Sequence, residues 1–225
     1  MEKNGSSCYL GVQMKIMIAI PSYTGLVATE CMMSIFELVN GLSEFGVQCG
    51  FATHSYNGNI ADARNKLCHE FLYSAPAYTH ILFIDDDMGF HAPDIFNMIY
   101  QMDAVEVFAA LCPRKNMETG AGEYDCYDPL YPEKHGRSEF QQVDRAGTGI
   151  MLIPREALDQ VETVLPVYAQ PPEISQFFVT YMGEVLIGED YYFCDRLAEA
   201  GVPLYVAMWT KVTHTGRYVY KGNLT

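Results

Sequence analysis

Short apolar runs alternate with amphipathic helical patterns along the first third of the chain, and this alternation restricts the possible folds more than any other feature. The apolar run that ends at Pro21 fits a strand buried on both faces. Gly46 follows the first helical pattern as a stop signal. Strands joined through helices in this way pair in parallel by right-handed crossovers, and such sheets bind ligands beyond the carboxyl ends of their strands. The pattern predicts strands at 14–20, 47–53 and 80–84 and helices at 26–45 and 59–74.

The rest of the chain continues this pattern with one long interruption. Residues 111–143 are rich in Pro, Gly and Tyr and show little periodicity, so we predict an active-site or acceptor loop there. No linker divides the chain, and we expect one domain over residues 1–225 with a flexible segment at 1–13. The expected fold class is α/β and Rossmann-like, with a mainly parallel central sheet flanked by helices. Further helices are predicted at about 92–102, from 155 and at 188–201, and further strands at 105–110, 147–154 and 202–208.

The composition favours a globular protein outside the membrane. Hydrophobic residues make up 49% and charged residues 19% of the chain, and the formal net charge of −14 disfavours binding to nucleic acid over the whole surface. The seven cysteines include no C-x-x-C pair. No apolar stretch approaches the ~20 residues of a membrane span, and the first thirteen residues lack the apolar region of a signal peptide. We therefore expect reduced thiols and a cytoplasmic location, which is the host cytoplasm if the source is a phage or another virus.

Three consecutive aspartates end the third predicted strand, in the sequence HILFIDDDMGF. Adjacent carboxylates at a strand end repel one another, and a divalent cation would remove the cost of burying them. If the segment stays extended, Asp85 and Asp87 point the same way and can share one ion, while Asp86 faces elsewhere. Oxygen ligands favour Mg²⁺ or Mn²⁺ over zinc. The alternative is that the three aspartates cap the next helix or lie solvated in a turn.

Several segments together resemble the GT-A glycosyltransferases, especially the group related to family 2 that includes small phage and viral enzymes. The D-x-D at the end of a strand follows a Rossmann-like half that opens with IPSYTG. NGNIADARNKL at 57–67 is similar to the helix before the D-x-D strand, and GTGIMLIPREAL at 147–158 to the strand after the acceptor loop. GEDYYFCDRLAEAG at 188–201 resembles the E-D motif helix, and VTHTG the terminal H-x-G. The order and spacing of these segments over roughly residues 15–217 are more specific than any one motif.

The resemblance implies roles for particular residues. Asp190, beside Glu189, occupies the position of the catalytic base, and the metal ligands implied for Mn²⁺ or Mg²⁺ are Asp85, Asp87 and His214. The alternatives are that the two acids cap a helix N-terminus and that His214 is structural. The residues expected to bind the nucleotide-sugar donor are Pro21, Ser22, Tyr23, Arg64, Asn65, Asp85, Asp86, Gly147, Thr148, Gly149, Arg217 and Lys221.

The function that the resemblance implies is metal-dependent transfer of one hexosyl or pentosyl group from a nucleoside diphosphate sugar. The expected acceptor is a hydroxyl of a glycan or small molecule, with inversion at the sugar carbon. The chain lacks a clear Q-x-x-R-W element, which argues against processive synthesis at a membrane.

Two other functions stay open at this point. One is a phage-type transferase acting on 5-hydroxymethylated pyrimidines in DNA, which needs one basic face with a flipped base near Asp190. The other is a nucleotide-sugar-binding module without turnover. A nucleotidyltransferase is disfavoured because PSYTGLVATE, the segment after the first strand, contains no basic residue that could bind phosphate. The basic face would consist of Lys211, Arg217, Lys221, Arg114, Lys115, Lys134 and Arg137.

Overall fold

A computed structural model describes residues 14–101, 106–114, 126–127, 140–166, 174–183, 186–216 and 219–221. The predicted segment at 1–13 and most of the predicted loop at 111–143 lie outside these ranges. The helices are α1 (Thr29–Glu44), α2 (Ile60–His69), α3 (Ala92–Tyr100), α4 (Arg155–Glu162) and α5 (Glu189–Glu199). The strands are β1 (Lys15–Ser22), β2 (Gln48–Ser55), β3 (His80–Ile84), β4 (Met88–Phe90), β5 (Val107–Ala110), β6 (Cys126–Tyr127), β7 (Phe140–Gln142), β8 (Arg145–Ala146), β9 (Ile150–Pro154), β10 (Tyr181–Met182), β11 (Leu186–Ile187), β12 (Leu204–Ala207), β13 (Val212–Thr215) and β14 (Val219–Lys221).

Seven strands form the central sheet in the order β2-β1-β3-β9-β5-β12-β7. β1 pairs in parallel with both β2 and β3, as the strand–helix alternation predicts. β9 runs antiparallel to β3 and β5, and β7 runs antiparallel to β12, so five of the seven strands share one direction. The predicted α/β class with a mainly parallel sheet is therefore confirmed.

Helices cover both faces of this sheet and divide the apolar core in two. Ile35 and Leu38 of α1 and Ile95 of α3 pack on one face, with the even-numbered isoleucines of β1. Leu67 of α2, with residues of α4 and α5, packs on the other face. The strands between them are buried on both sides, which is why they read as continuous apolar runs in the sequence.

The helix ends follow local rules that the sequence makes visible. The side chain of Asn59 accepts hydrogen bonds from the Ala61 and Asp62 amides at the start of α2. Gly46 and Gly201 follow α1 and α5 with φ values of 75° and 72°, as their role as stop signals predicts. The predicted helix at 59–74 is α2 continued by one π-helical turn, Glu70–Ser74.

A small antiparallel sheet, β14-β13-β4, lies directly after the carboxyl end of β3. The sequence patterns did not predict β4 or β13, because three or four residues are too few to show a period. The pairing sets His214 of β13 opposite Met88, next to the three aspartates. This small sheet therefore carries a residue from the C-terminal part of the chain to the end of β3.

Among the helices in the described ranges, none is both long and apolar enough to cross a membrane. Five cysteines in those ranges are free thiols: Cys31, Cys49, Cys68, Cys112 and Cys194. The expectation of reduced thiols holds for these five.

Candidate active site at the carboxyl edge of the sheet

The three aspartates after β3 form a tight turn, which we call the aspartate turn (residues 85–87). The Met88 amide donates to the carbonyl oxygen of Asp85 at 3.1 Å, closing the turn. The carbonyl of Asp86 accepts from the Ala28 amide and that of Asp87 from the Thr215 amide, both at 2.8 Å. The segment is therefore not extended, and the premise that alternate aspartates point the same way was wrong.

The side chains of the aspartate turn contact three different partners. Asp85 faces the guanidinium of Arg64, with both carboxylate oxygens 3.0 Å from Nη2. Asp86 accepts a 2.5 Å hydrogen bond from the Ser22 hydroxyl at the end of β1. Asp87 lies with Oδ1 3.3 Å from Nε2 of His214. The turn thus connects α2, β1 and β13 through one carboxylate each.

Arg64 is the buried centre of the site. Its side chain is 2% exposed, although a guanidinium is always charged. Nη1 donates to Glu189 Oε1 at 3.1 Å and to Asp190 Oδ1 at 2.6 Å, while Nη2 holds Asp85. Burial acts against the charged form, but the three carboxylates outweigh it and hold the pKa of Arg64 above its ordinary value. The resemblance implied that Arg64 binds the nucleotide-sugar donor; in the described residues its terminal nitrogens pair with these three carboxylates.

Glu189 and Asp190 occupy the first turn of α5, where the helix dipole favours negative charge. Gly188 precedes them at the N-cap, where no side-chain hydrogen bond is made, so the two acids act on the N-terminus only through their charge. Asp190 Oδ1 accepts a second hydrogen bond, from the buried Thr148 hydroxyl at 2.7 Å. Oδ2 of Asp190 accepts no hydrogen bond from any residue in the described ranges. One carboxylate oxygen is therefore anchored and the other is available to a ligand.

Thr148 lies in the buried segment 147–149, which was predicted to bind the donor. A Cβ at Gly149 would lie 2.6 Å from Cε of Met88, so this position accepts only glycine without movement. The carbonyl of Gly149 also accepts from the Asp85 amide at 2.9 Å. Gly147 lies beside them, between β8 and β9. The segment packs against the aspartate turn and positions Asp190 through Thr148.

His214 has a defined set of partners. Its Nδ1 lies 3.0 Å from the carbonyl oxygen of Pro113, which only accepts, so Nδ1 carries the proton. In the neutral ring, the lone pair of Nε2 then faces the Asp87 carboxylate at 3.3 Å. Two acceptors in such contact require a proton or a metal cation between them.

The site carries a strong excess of negative charge. Among the described residues, Asp85, Asp86, Asp87, Glu189 and Asp190 supply five carboxylates, and the guanidinium of Arg64 pairs with three of them. Burial raises the pKa of Asp85 to about 6, against the opposing effect of Arg64. Within the part of the chain that the structure describes, no three histidine, cysteine or acidic side chains come close enough to form a metal site. The structure brings Asp87 and His214 together, whereas the Asp85 carboxylate is directed at Arg64.

Two tyrosines stand exposed at the carboxyl ends of β1 and β2. Tyr23, 70% exposed, was predicted to lie near the nucleotide, and its ring lies against Gly58. Tyr56, 82% exposed, was missed; its ring lies against Gly25, and its φ of 61° is the only positive value for a non-glycine residue in the described ranges. The Asn-Gly pair that follows Tyr56 was the available signal for this turn.

The other predicted donor residues have mixed positions. Pro21 and Ser22 end β1 and are buried. Asn65 bonds the amide and the carbonyl of Phe178, so its side chain holds a neighbouring segment. Lys221 lies in β14, and Arg217 is outside the described residues. Of the predicted basic face, Lys115, Lys134 and Arg137 are also outside them, Lys211 is exposed, and Arg114 donates to the Tyr191 hydroxyl at 2.7 Å.

The described residues define an α/β protein with a cluster of acidic side chains at the carboxyl edge of its sheet. No family model matches the sequence, and a comparison with curated proteins found no match. Solved structures with a similar fold include A197 from STIV, with a TM-score of 0.56 and 16% identity over 94% of this chain and 96% of that one. At this identity the likeness concerns the fold alone.

Two further structures have lower similarity. A mutant Drosophila β-1,4-galactosyltransferase 7 in complex with manganese, UDP-Gal and xylobiose has a TM-score of 0.48 and 15% identity, covering 86% of this chain and 65% of that one. A glycosyltransferase involved in glycosylation of the major capsid of PBCV-1 has a TM-score of 0.35 and 13% identity, covering 64% of this chain and 61% of that one.

Proposed function

We propose that this chain is a glycosyltransferase of the GT-A type, which transfers one sugar from a nucleoside diphosphate sugar to a hydroxyl acceptor. One observation carries the proposal. The aspartate turn, the acids of α5 and His214 come from three distant parts of the sequence and meet where a mainly parallel sheet binds ligands. These are the segments in which the sequence resembles the family, and the structure brings them into one site.

A divalent cation suits the pair Asp87 and His214. A Mg²⁺-sized ion with bonds of about 2.1 Å at right angles separates neighbouring ligand atoms by about 3 Å. The 3.3 Å between Asp87 Oδ1 and His214 Nε2 is close to this separation, and the proton on Nδ1 leaves Nε2 ready to ligate. Such ions take one or two protein ligands and complete their shell with phosphate oxygens and water. When bound, Mn²⁺ or Mg²⁺ would neutralise the diphosphate that leaves the sugar.

The negative charge of the site supports the same proposal. A nucleoside diphosphate is an anion and is repelled by the carboxylates of the aspartate turn unless a cation lies between them. Ser22 and Asp86 would hold the donor's nucleoside end, and the rings of Tyr23 and Tyr56 offer flat surfaces for a base. We assign Arg217 and Lys221 to the phosphates as a proposal from the sequence.

Asp190 is the proposed base. Its Oδ1 is anchored by Arg64 and Thr148, so Oδ2 can accept the proton of an acceptor hydroxyl. The acceptor oxygen then forms a bond to the anomeric carbon while the bond from that carbon to the diphosphate breaks. The diphosphate leaves with the electron pair, and the configuration at the carbon inverts. Glu189 accepts a hydrogen bond from the same Arg64 nitrogen as Asp190, so the two carboxylates share one positive charge.

The proposed acceptor is a glycan or small molecule, because a net charge of −14 repels a polyanion such as DNA. The transferred group is a hexose or pentose.

The test is release of nucleoside diphosphate by the purified protein from a panel of UDP-, GDP- and dTDP-sugars with Mn²⁺. Each donor is assayed with and without glycan acceptors and with hydroxymethylated duplex DNA. Turnover that requires Mn²⁺ and is lost in Asp87→Ala supports the proposal. Binding of a donor without release, in wild type and with every acceptor, would instead indicate a binding module. Full activity in Asp87→Ala would remove the metal role.

A further inference from the structure

Arg64 is enclosed more completely than a residue that binds substrate phosphate would be. Its guanidinium makes four contacts of 3.1 Å or less, all to carboxylates, and its carbon atom lies 5.7 Å from the centre of the Phe178 ring. Its remaining nitrogen, Nε, is buried and donates to no residue in the described ranges. Both terminal nitrogens are thus committed to protein groups.

The two terminal nitrogens hold opposite sides of the site. Nη2 holds Asp85, in the aspartate turn after β3, whereas Nη1 holds Glu189 and Asp190 at the start of α5. The guanidinium is planar and rigid, so it fixes the position of one side relative to the other. Thr148 binds the same Asp190 oxygen at 2.7 Å, which fixes the rotation of that carboxylate as well.

We infer that Arg64 is a positioning residue, which connects the aspartate turn to Asp190 and directs Oδ2 of Asp190 at the acceptor, rather than a ligand of the donor. The inference rests on the proposed function. Arg64 makes no contact with Asp87 or His214 in the described residues, so its direct partners are Asp85 and the acids of α5 rather than Asp87 and His214.

The first test is Arg64→Lys, because lysine keeps the charge but offers one nitrogen and cannot hold two sides at once. A misplacement of about 1 Å costs about 100-fold in rate, so kcat should fall about 100-fold. The KM for the donor and the affinity for Mn²⁺ should each stay within about threefold of wild type, because Arg64 is not a ligand of either in this proposal.

A second measurement separates positioning from general destabilisation. Arg155→Lys is the matched control, because the guanidinium of Arg155 is likewise held by several protein groups but lies away from the site. Its partners are the backbone carbonyls of Phe71, Leu72, Ala75 and Tyr78. It should lower the Tm without a comparable loss of kcat. If Arg64 acts through Asp190, the double variant Arg64→Lys/Asp190→Asn should be about as slow as Asp190→Asn alone.

Thr148→Val provides the same test if Arg64→Lys does not fold. It removes the other hydrogen bond to Asp190 Oδ1, and kcat should fall about tenfold at unchanged donor KM, as for a lost hydrogen bond to a charged group. Three results would overturn the inference: unchanged kcat in both variants, a raised donor KM with normal kcat, or additive losses in the double variant. An inactive wild type would count against the proposed function instead.

Discussion

Replacing Asp190 with asparagine removes the proposed base with little change of shape. The Asn oxygen can still accept from Arg64 and Thr148, so the side chain should keep its orientation. Arg64 retains Asp85 and Glu189 as charged partners, so the free energy of unfolding should fall by only about 1 kcal/mol. The amide cannot take a proton from the acceptor, and general bases contribute about 10²- to 10⁴-fold to rates.

We therefore expect kcat of Asp190→Asn to fall by about 10²- to 10⁴-fold, which corresponds to about 3–5 kcal/mol in activation free energy. The donor KM and the affinity for Mn²⁺ should stay within about threefold, because Ser22, Asp87 and His214 are unchanged. The assay is steady-state release of nucleoside diphosphate at saturating donor and acceptor, with thermal unfolding measured in parallel.

Asp62→Asn is a suitable control, since Asp62 is a carboxylate of α2 that pairs with Lys66 at the surface. It should leave kcat within about twofold of wild type. A folded Asp190→Asn protein with more than half of the wild-type kcat would refute the assignment of Asp190 as the base. So would a loss confined to the donor KM.

Four other substitutions test three separate parts of the structure. Asp87→Asn and His214→Gln should each weaken Mn²⁺ binding in the presence of nucleoside diphosphate by about tenfold or more, about 1.4 kcal/mol, in an isothermal titration; unchanged affinity in both would exclude them as ligands. Burial lowers the pKa of His80 to about 4, so the unfolded chain binds this proton first as the pH falls. Stability should drop by about 3 kcal/mol between pH 6.5 and 4, and His80→Gln should lose most of this slope in urea unfolding at several pH values; an equal slope in both proteins would contradict the burial argument. Gly25→Ala should lower the free energy of unfolding by about 1–2 kcal/mol in urea unfolding, because φ is +74° and the new Cβ would lie 2.6 Å from Cζ of Tyr56; a neutral effect would contradict the left-handed backbone at Gly25.

The sequence predicted the central elements because they are buried on both faces or on one stripe. β1, β3 and β9 are continuous apolar runs, and a short run that is apolar on both faces is typical of a buried strand in an α/β fold. The C-terminal ends of α1 and α5 followed from Gly46 and Gly201. These are local signals, and they predict the folded structure correctly because the tertiary contacts favour the same local conformations.

The sequence indicated several residues that meet at this edge of the sheet, but not how their side chains are arranged. The resemblance selected Asp87, Asp190 and His214, and the structure places all three at one edge of the sheet. The resemblance did not reveal that the carboxylates of the aspartate turn have separate partners. That arrangement depends on the backbone hydrogen bond from the Met88 amide to the Asp85 carbonyl, which a sequence motif does not show. The partners of Arg64 were equally hidden, since they lie 21 to 126 positions away in the sequence.

The proposed metal site is tested most directly by the position of Mn²⁺ in a crystal soaked with Mn²⁺ and a nucleoside diphosphate, located by anomalous scattering. We expect one strong peak bonded to Asp87 Oδ1 and His214 Nε2, with diphosphate oxygens completing its shell. A peak bonded elsewhere, or an ordered nucleotide bound away from the aspartate turn, would contradict the proposed site.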